Sequence, residues 1–116
     1  MAPASLPLAT PLELIRAMAD RIVRQFHPEM IVLFGSYARG EATQDSDVDL
    51  LVVMQVAHSR REVRRQVYRA LDDRLLPLDV VIATPEQVER QRSQVGTMIY
   101  PALQEGRVLY QHQADE

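Results

Sequence analysis

The chain has 116 residues, 47% of them hydrophobic, with a formal net charge of −3 and no cysteine. That is the size and apolar content of one domain with its own core, which argues against wholesale disorder, and the acidic balance argues against a chain that binds nucleic acid generally. The missing cysteines exclude a disulfide framework and thiolate metal sites, and no apolar run approaches the roughly 18 residues needed to span a membrane.

Residues 1–9 are small, apolar and proline-containing and read as a flexible N-terminal tail, leaving 10–116 as a single domain. No basic region followed by a long apolar stretch opens the chain, so no signal peptide is read; with the absence of cysteine this leads to the expectation of a cytoplasmic protein with no membrane partner. Thr10-Pro11-Leu12-Glu13 combines an N-cap, a first-turn proline and a capping-box glutamate. Ile15, Met18, Ile22 and Phe26 follow at helical spacing. A β-rich run at Met30–Phe34 ends in the turn Gly35-Ser36, from which a short helix leads to Gly40. A second β-rich run covers Val48–Val53. Ser59-Arg60-Arg61-Glu62 repeats the capping box, and Val63, Val67, Ala70, Leu71 and Leu75 form the apolar stripe behind it. Leu78–Ala83 is a third strand, and Thr84-Pro85-Glu86-Gln87 opens a third helix carrying Val88, Val95, Met98 and Ile99. Pro101 is expected to kink or restart that helix and Gly106 to cap its end, before a weak strand at Val108-Leu109-Tyr110.

Strands alternating with capped helices indicate an α/β (α+β) layer fold, a small mixed sheet flanked by helices. Asp47 and Asp49 lie at the start of strand two and Ser36 just past the end of strand one. If they meet, those strands are antiparallel. Strand three follows strand two through a crossover helix and is therefore expected to be parallel to it. Asp79 then reaches the same end of the sheet as Asp47 and Asp49.

Residues i and i+2 of a strand project from one face, so Asp47 and Asp49 aim two negative charges at one point. Such a pair repels unless something neutralises it, and a divalent cation with oxygen ligands, such as magnesium, does so. The nearby Gly35-Ser36 turn offers backbone N–H groups and a hydroxyl to a phosphate. Metal beside phosphate suggests nucleotidyl transfer. Asp79 is the one charge in an otherwise apolar strand, and a buried unpaired carboxylate needs a partner.

Gly35-Ser36, ten intervening residues and Asp47-x-Asp49 resemble the signature of the DNA polymerase β-like nucleotidyltransferase superfamily. Within it, Gly35-Ser36-Tyr37-Ala38-Arg39-Gly40 with Ser46-Asp47-Val48-Asp49-Leu50 is similar to the minimal nucleotidyltransferase (MNT) family, over about residues 31–110. The resemblance implies a third acidic residue on a neighbouring strand, the position Asp79 matches. It implies that Asp47 and Asp49 hold two Mg²⁺ ions, and that Asp79 binds the ion at the attacking hydroxyl and helps deprotonate it. A hydroxyl then attacks the α-phosphorus of a nucleoside triphosphate, ATP by the resemblance. The implied partner is a HEPN-domain ribonuclease toxin, one tyrosine of which receives AMP. The alternatives are an antitoxin that neutralises its partner by binding alone and a small-molecule (antibiotic) nucleotidyltransferase.

Simpler roles stand beside these. Asp47 and Asp49 can belong to a solvated acidic turn, and Asp79 can be an N-cap or pair with an arginine. Gly35 can serve any tight turn, and Ser36 can cap its helix while binding a β- or γ-phosphate. Arg39 is placed with the nucleotide-binding residues, yet can equally pair with Glu41 or Asp45. Tyr37 is assigned to packing. Arg60, Arg61, Arg64, Arg65 and Arg69 read as a solvated face partnered by Glu62 and Asp72 or Asp73, the sharper alternative being a docking surface for an acidic partner or RNA. His27, His58 and His112 show no ligand spacing, so no zinc site is expected. Little lies beyond the catalytic core, so acceptor binding is expected to need a partner or a homo- or hetero-oligomer, with no direct nucleic-acid binding.

Overall fold

Helix starts in this chain are written in hydrogen bonds before they are written in packing. The structure, a computed structural model, describes residues 9–97 and 99–113. Thr10 caps α1 (Pro11–Phe26): its hydroxyl accepts from the Glu13 amide at 3.2 Å and its amide donates to Glu13 Oε1 at 2.8 Å. Because Pro11 has no N–H, the first turn has three orphan donors, and two of them are thereby satisfied. Ile15, Met18 and Ile22 are buried on one face, with Phe26 partly buried beside them. Each fully buried aliphatic side chain contributes about 1.5–3 kcal/mol.

After α1 come β1 (Met30–Phe34), α2 (Ser36–Arg39), β2 (Val48–Val53), α3 (Arg60–Ala70), β3 (Leu78–Ala83), α4 (Pro85–Gln91), α5 (Ile99–Glu105) and β4 (Arg107–Gln111). The sheet order is β3-β2-β1-β4. β1 is antiparallel to β2 and β4, and β2 is parallel to β3, as expected for a mixed sheet with a crossover helix between β2 and β3.

Both faces of the sheet are covered, which is why β2 reads as a nearly continuous apolar run. Val48, Leu50 and Val52 point to the face packed by Ile15 and Ile22 of α1 and Val67 of α3. Leu51 and Val53 point to the opposite face, packed by Val88 of α4 and by Ile99 and Ala102 of α5.

Several expectations are corrected. α3 ends at Ala70 with the buried Leu71 as its cap, and Leu75 lies beyond it with 78% of its surface exposed. At Ser59 only half of the capping box forms: the hydroxyl accepts from the Glu62 amide, while the Glu62 carboxylate turns to Arg65 and Gln66. The helix after Thr84 does not run on to a proline kink. It stops at Gln91, turns through residues 92–97 with Gly96 at φ 101°, and a separate helix begins at Ile99. The Thr97 hydroxyl accepts from the Tyr100 amide at 3.2 Å and so satisfies one donor of the first turn of α5. Pro101 sits in the first turn of α5, where a missing N–H costs nothing, and Val95 is exposed in the turn. Met98 and residues 1–8 of the expected tail lie outside the described residues.

Gly106 does not cap α5 in the left-handed conformation. It is required for close approach: a Cβ there would lie 2.1 Å from the Ala102 carbonyl oxygen and 2.4 Å from Val32 Cγ1. The chain passes from α5 into β4 directly against β1. Gly106→Ala is expected to lower the unfolding free energy by about 1–3 kcal/mol, as overpacking does. Urea denaturation of the purified variant measures it.

Candidate active site

Strand register assembles the site. Asp49 stands opposite Phe34 of β1 and beside Asp79 of β3, so one row across the sheet runs Phe34, Asp49, Asp79. Immediately after Phe34 the chain turns at Gly35, whose φ is 77°. A Cβ on Gly35 would lie 2.1 Å from Asp49 Oδ2. Only glycine both adopts that conformation readily and lets the carboxylate lie against the turn. The Gly-Ser turn and the acidic residues thus meet at one end of the sheet.

Gly35 is also the cap position of α2, with no side-chain cap bond. Ser36 is therefore the first helical residue rather than the cap. The first amides of a helix have no intrahelical partner, and Ser36 carries the first of them. Gly40 closes the helix with its amide donating to the Ser36 carbonyl. Tyr37 packs against the core, as assigned. A tight turn precedes Asp47: the Thr43 amide donates to Ser46 Oγ at 2.8 Å and the Ser46 amide to the Thr43 carbonyl at 3.1 Å. Asp47 is exposed, and Asp49 and Asp79 are partly buried.

The Asp49 carboxyl is pushed above its ordinary value of 3.8, first by burial, then by the charges of Asp79 and Asp47, with Arg39 opposing. Its two acidic neighbours are near enough to be felt. Among the described residues no three His, Cys, Asp or Glu side chains are arranged to hold a metal ion as they stand. The donor chemistry nevertheless suits a hard divalent cation: the oxygens are carboxylates, and the like charges around Asp49 are what such an ion relieves.

Asp79 is not the buried, unpartnered carboxylate that its apolar strand suggests. Its side chain is 47% exposed and accepts from Arg64 Nη2 at 3.2 Å. Arg64 also donates through Nε to the Val80 carbonyl at 2.7 Å and lies against the Tyr68 hydroxyl at 3.2 Å. That hydroxyl accepts from the Val80 amide at 2.9 Å and donates to the Leu78 carbonyl at 3.1 Å. Arg64 is thus not on the solvated face expected of it, and Tyr68 belongs to the same cluster. Their i,i+4 spacing on the crossover helix, beside a strand carrying one acid, was the available signal. The other partners also differ: Arg65 pairs with Glu62 as expected, but Asp73 pairs with Arg21 of α1. Arg39 pairs with Glu41 at 2.9 Å rather than Asp45, and reaches Glu105 of α5 at 3.5 Å, a contact between elements far apart in sequence.

The family model for the nucleotidyltransferase domain matches residues 15–110, which include the turn and all three acidic positions. The chain belongs to the nucleotidyltransferase domain family. It is 39% identical over 82 residues to the putative protein adenylyltransferase MJ0604 of Methanocaldococcus jannaschii, covering 69% of this chain and 76% of that one. Among solved structures, a nucleotidyltransferase from Sulfolobus solfataricus superposes with a TM-score of 0.60 at 19% identity, over 86% of this chain and 79% of that one. A mutant of the toxin–antitoxin complex MntA-HpeT contains a chain that superposes with a TM-score of 0.51 at 25% identity, over 91% of this chain and 76% of that one. The minimal nucleotidyltransferase resemblance is this family seen through its motif, and the α/β fold of this nucleotidyltransferase is the one its relatives share.

In the folded protein Asp49 holds its proton more tightly than in the unfolded chain, so its ionisation costs stability as the pH rises through the folded value. Asp49→Asn is therefore expected to raise the melting temperature at pH 7 in EDTA. The advantage should shrink as the pH falls towards 3.8, where Asp49 is protonated in wild type too. Thermal melts of both proteins across that range test it.

Proposed function

We propose that this nucleotidyltransferase is an antitoxin that transfers AMP from ATP to a tyrosine of a HEPN-domain ribonuclease toxin. The observation that carries the reading is the single row that sets the Gly35-Ser36 turn beside Asp49 and Asp49 beside Asp79. Protein adenylylation is favoured by the M. jannaschii relative, named as a protein adenylyltransferase and similar over most of both chains. A toxin partner is favoured by the likeness to the MntA-HpeT complex and by the motif in residues 35–50.

In this reading Gly35 lets the triphosphate approach the backbone, and the Ser36 hydroxyl with the first amides of α2 binds its β- or γ-phosphate. Arg39, held by Glu41 and Glu105 and close enough to lower the pull on the Asp49 proton, is the remaining residue of the phosphate side. Asp47, Asp49 and Asp79 would hold two Mg²⁺ ions, which when bound neutralise charge on the entering and leaving oxygens. Asp79 lies on the side away from the turn and orients the tyrosine hydroxyl, whose proton it helps remove. The hydroxyl oxygen bonds to the α-phosphorus, the bond from that phosphorus to the bridging oxygen breaks, and pyrophosphate leaves.

One observation favours a second reading, neutralisation by binding alone. Arg64 already occupies Asp79, and a site so paired can be retained without turnover. Incubating the partner toxin with this protein, ATP and Mg²⁺ separates the two. The expected result is a mass gain of one AMP on the toxin, abolished in the double variant Asp47→Asn, Asp49→Asn. Full neutralisation by that variant with no mass change would establish occlusion instead.

A further inference from the structure

In-line displacement brings the entering hydroxyl from the side of phosphorus opposite the leaving group. If pyrophosphate leaves towards the Gly35-Ser36 turn at the end of β1, then Asp49 on β2 lies between, and the hydroxyl arrives over β3. β3 is an edge of the sheet. Along that edge a cavity of about 380 Å³ opens between Arg60, Arg61 and Arg64 of α3 and residues 79–82. It begins at Asp79 and leads away from the proposed phosphate site.

The charge in this cavity is only partly spent inside the protein. Arg64 pairs with Asp79, and Arg60 donates to the neutral Gln87. Arg61 has no ion-pair partner among the described residues, and the adjacent Glu62 turns towards Arg65 and Gln66. Two guanidinium charges thus remain uncompensated in a chain whose net charge is −3. At the Asp79 end of the channel, in contrast, the edge backbone is occupied. The Val80 amide and the Leu78 carbonyl bond to the Tyr68 hydroxyl, and the Val80 carbonyl bonds to Arg64. An incoming segment cannot pair as a strand beside Val80, and next to Asp79 it must be read by side chains.

We propose that this cavity is the acceptor channel, and that it selects a peptide segment bearing carboxylates beside its acceptor hydroxyl. The inference rests on the adenylyl-transfer reading above and adds to it the chemistry of the acceptor. Arg60 and Arg61 take the carboxylates in bidentate pairs, while Arg64 holds Asp79 at the mouth of the channel. A peptide fits better than RNA. The strand wall is aliphatic, with Val80, Val81 and Ile82, and the ring of Tyr68 is covered by Arg64 at 4.9 Å and Arg74 at 5.4 Å, so no aromatic platform is open to a base.

The test uses the full chain and fluorescence anisotropy with three labelled ligands: a short peptide with glutamates on both sides of a tyrosine, the same peptide with lysines, and a single-stranded RNA oligonucleotide. The expected result is preference for the acidic peptide, weakened by salt and by about tenfold or more in the double variant Arg60→Glu, Arg61→Glu. The milder Arg60→Ala, Arg61→Ala pair should fall between, and affinity for an ATP analogue should not change. Equal binding of the acidic and basic peptides, or acidic-peptide binding untouched by both variants, would overturn the proposal. So would tighter binding of RNA that the same variants abolish, or loss of ATP-analogue affinity, which would assign the arginines to the nucleotide. Failure of adenylyl transfer itself is read separately, as no AMP on any acceptor by mass spectrometry, and leaves the anisotropy result intact.

Discussion

The parallel pairing of β2 with β3 sets Asp49 beside Asp79, and the fold must tolerate the repulsion between them. Like charges side by side at a partly buried position are unfavourable, so the surroundings are arranged around that cost. Asp47 stays exposed in the turn before β2, and Asp79 is drawn to a guanidinium on the crossover helix. Asp49 alone is left with its burial and its acidic neighbours, offset in part by Arg39. Stability is given up at the candidate site, where the carboxylates crowd together.

α3 does two jobs from opposite sides. Val67 and the capping Leu71 bury against the sheet and make the β2–β3 crossover a core element. Arg64 and Tyr68 reach round the edge of β3, bond to the Leu78 carbonyl and to the Val80 amide and carbonyl, and hold Asp79. The same side chains that keep an open strand edge from pairing with other chains also set the position of a site carboxylate. The glycines divide in a similar way. Gly35 admits the Asp49 carboxylate to the turn, and Gly106 admits the α5–β4 connection to the surface of β1.

The elements most legible in the sequence carry their own local signal. Met30–Phe34, Val48–Val53 and Leu78–Ala83 are apolar runs bounded by turn residues, and the structure begins and ends those strands at the same residues. Thr10, Ser59 and Thr84 each cap a helix through a hydrogen bond to a residue three positions on. The helix after Thr84 is shorter than its apolar spacing suggests because its break rests on Thr97 and Gly96, whose signals are weak against the apolar Val95 nearby. Leu75 fits the helical stripe by spacing yet lies outside it, because spacing alone cannot tell where the chain leaves the helix to reach β3.

The motif from Gly35 to Asp49 determined, without coordinates, the family and the antiparallel pairing of the strands that flank it, because its parts lie within one hairpin-like unit of chain. What only the tertiary structure decided are partnerships between distant elements: Arg64 with Asp79, Arg39 with Glu105, Arg21 with Asp73, and Gly106 against Val32. Charge and size are visible in a sequence, but which opposite charge a long side chain reaches depends on how helices settle on the sheet. That settling is governed by the summed packing of many apolar residues, which no short stretch of sequence encodes.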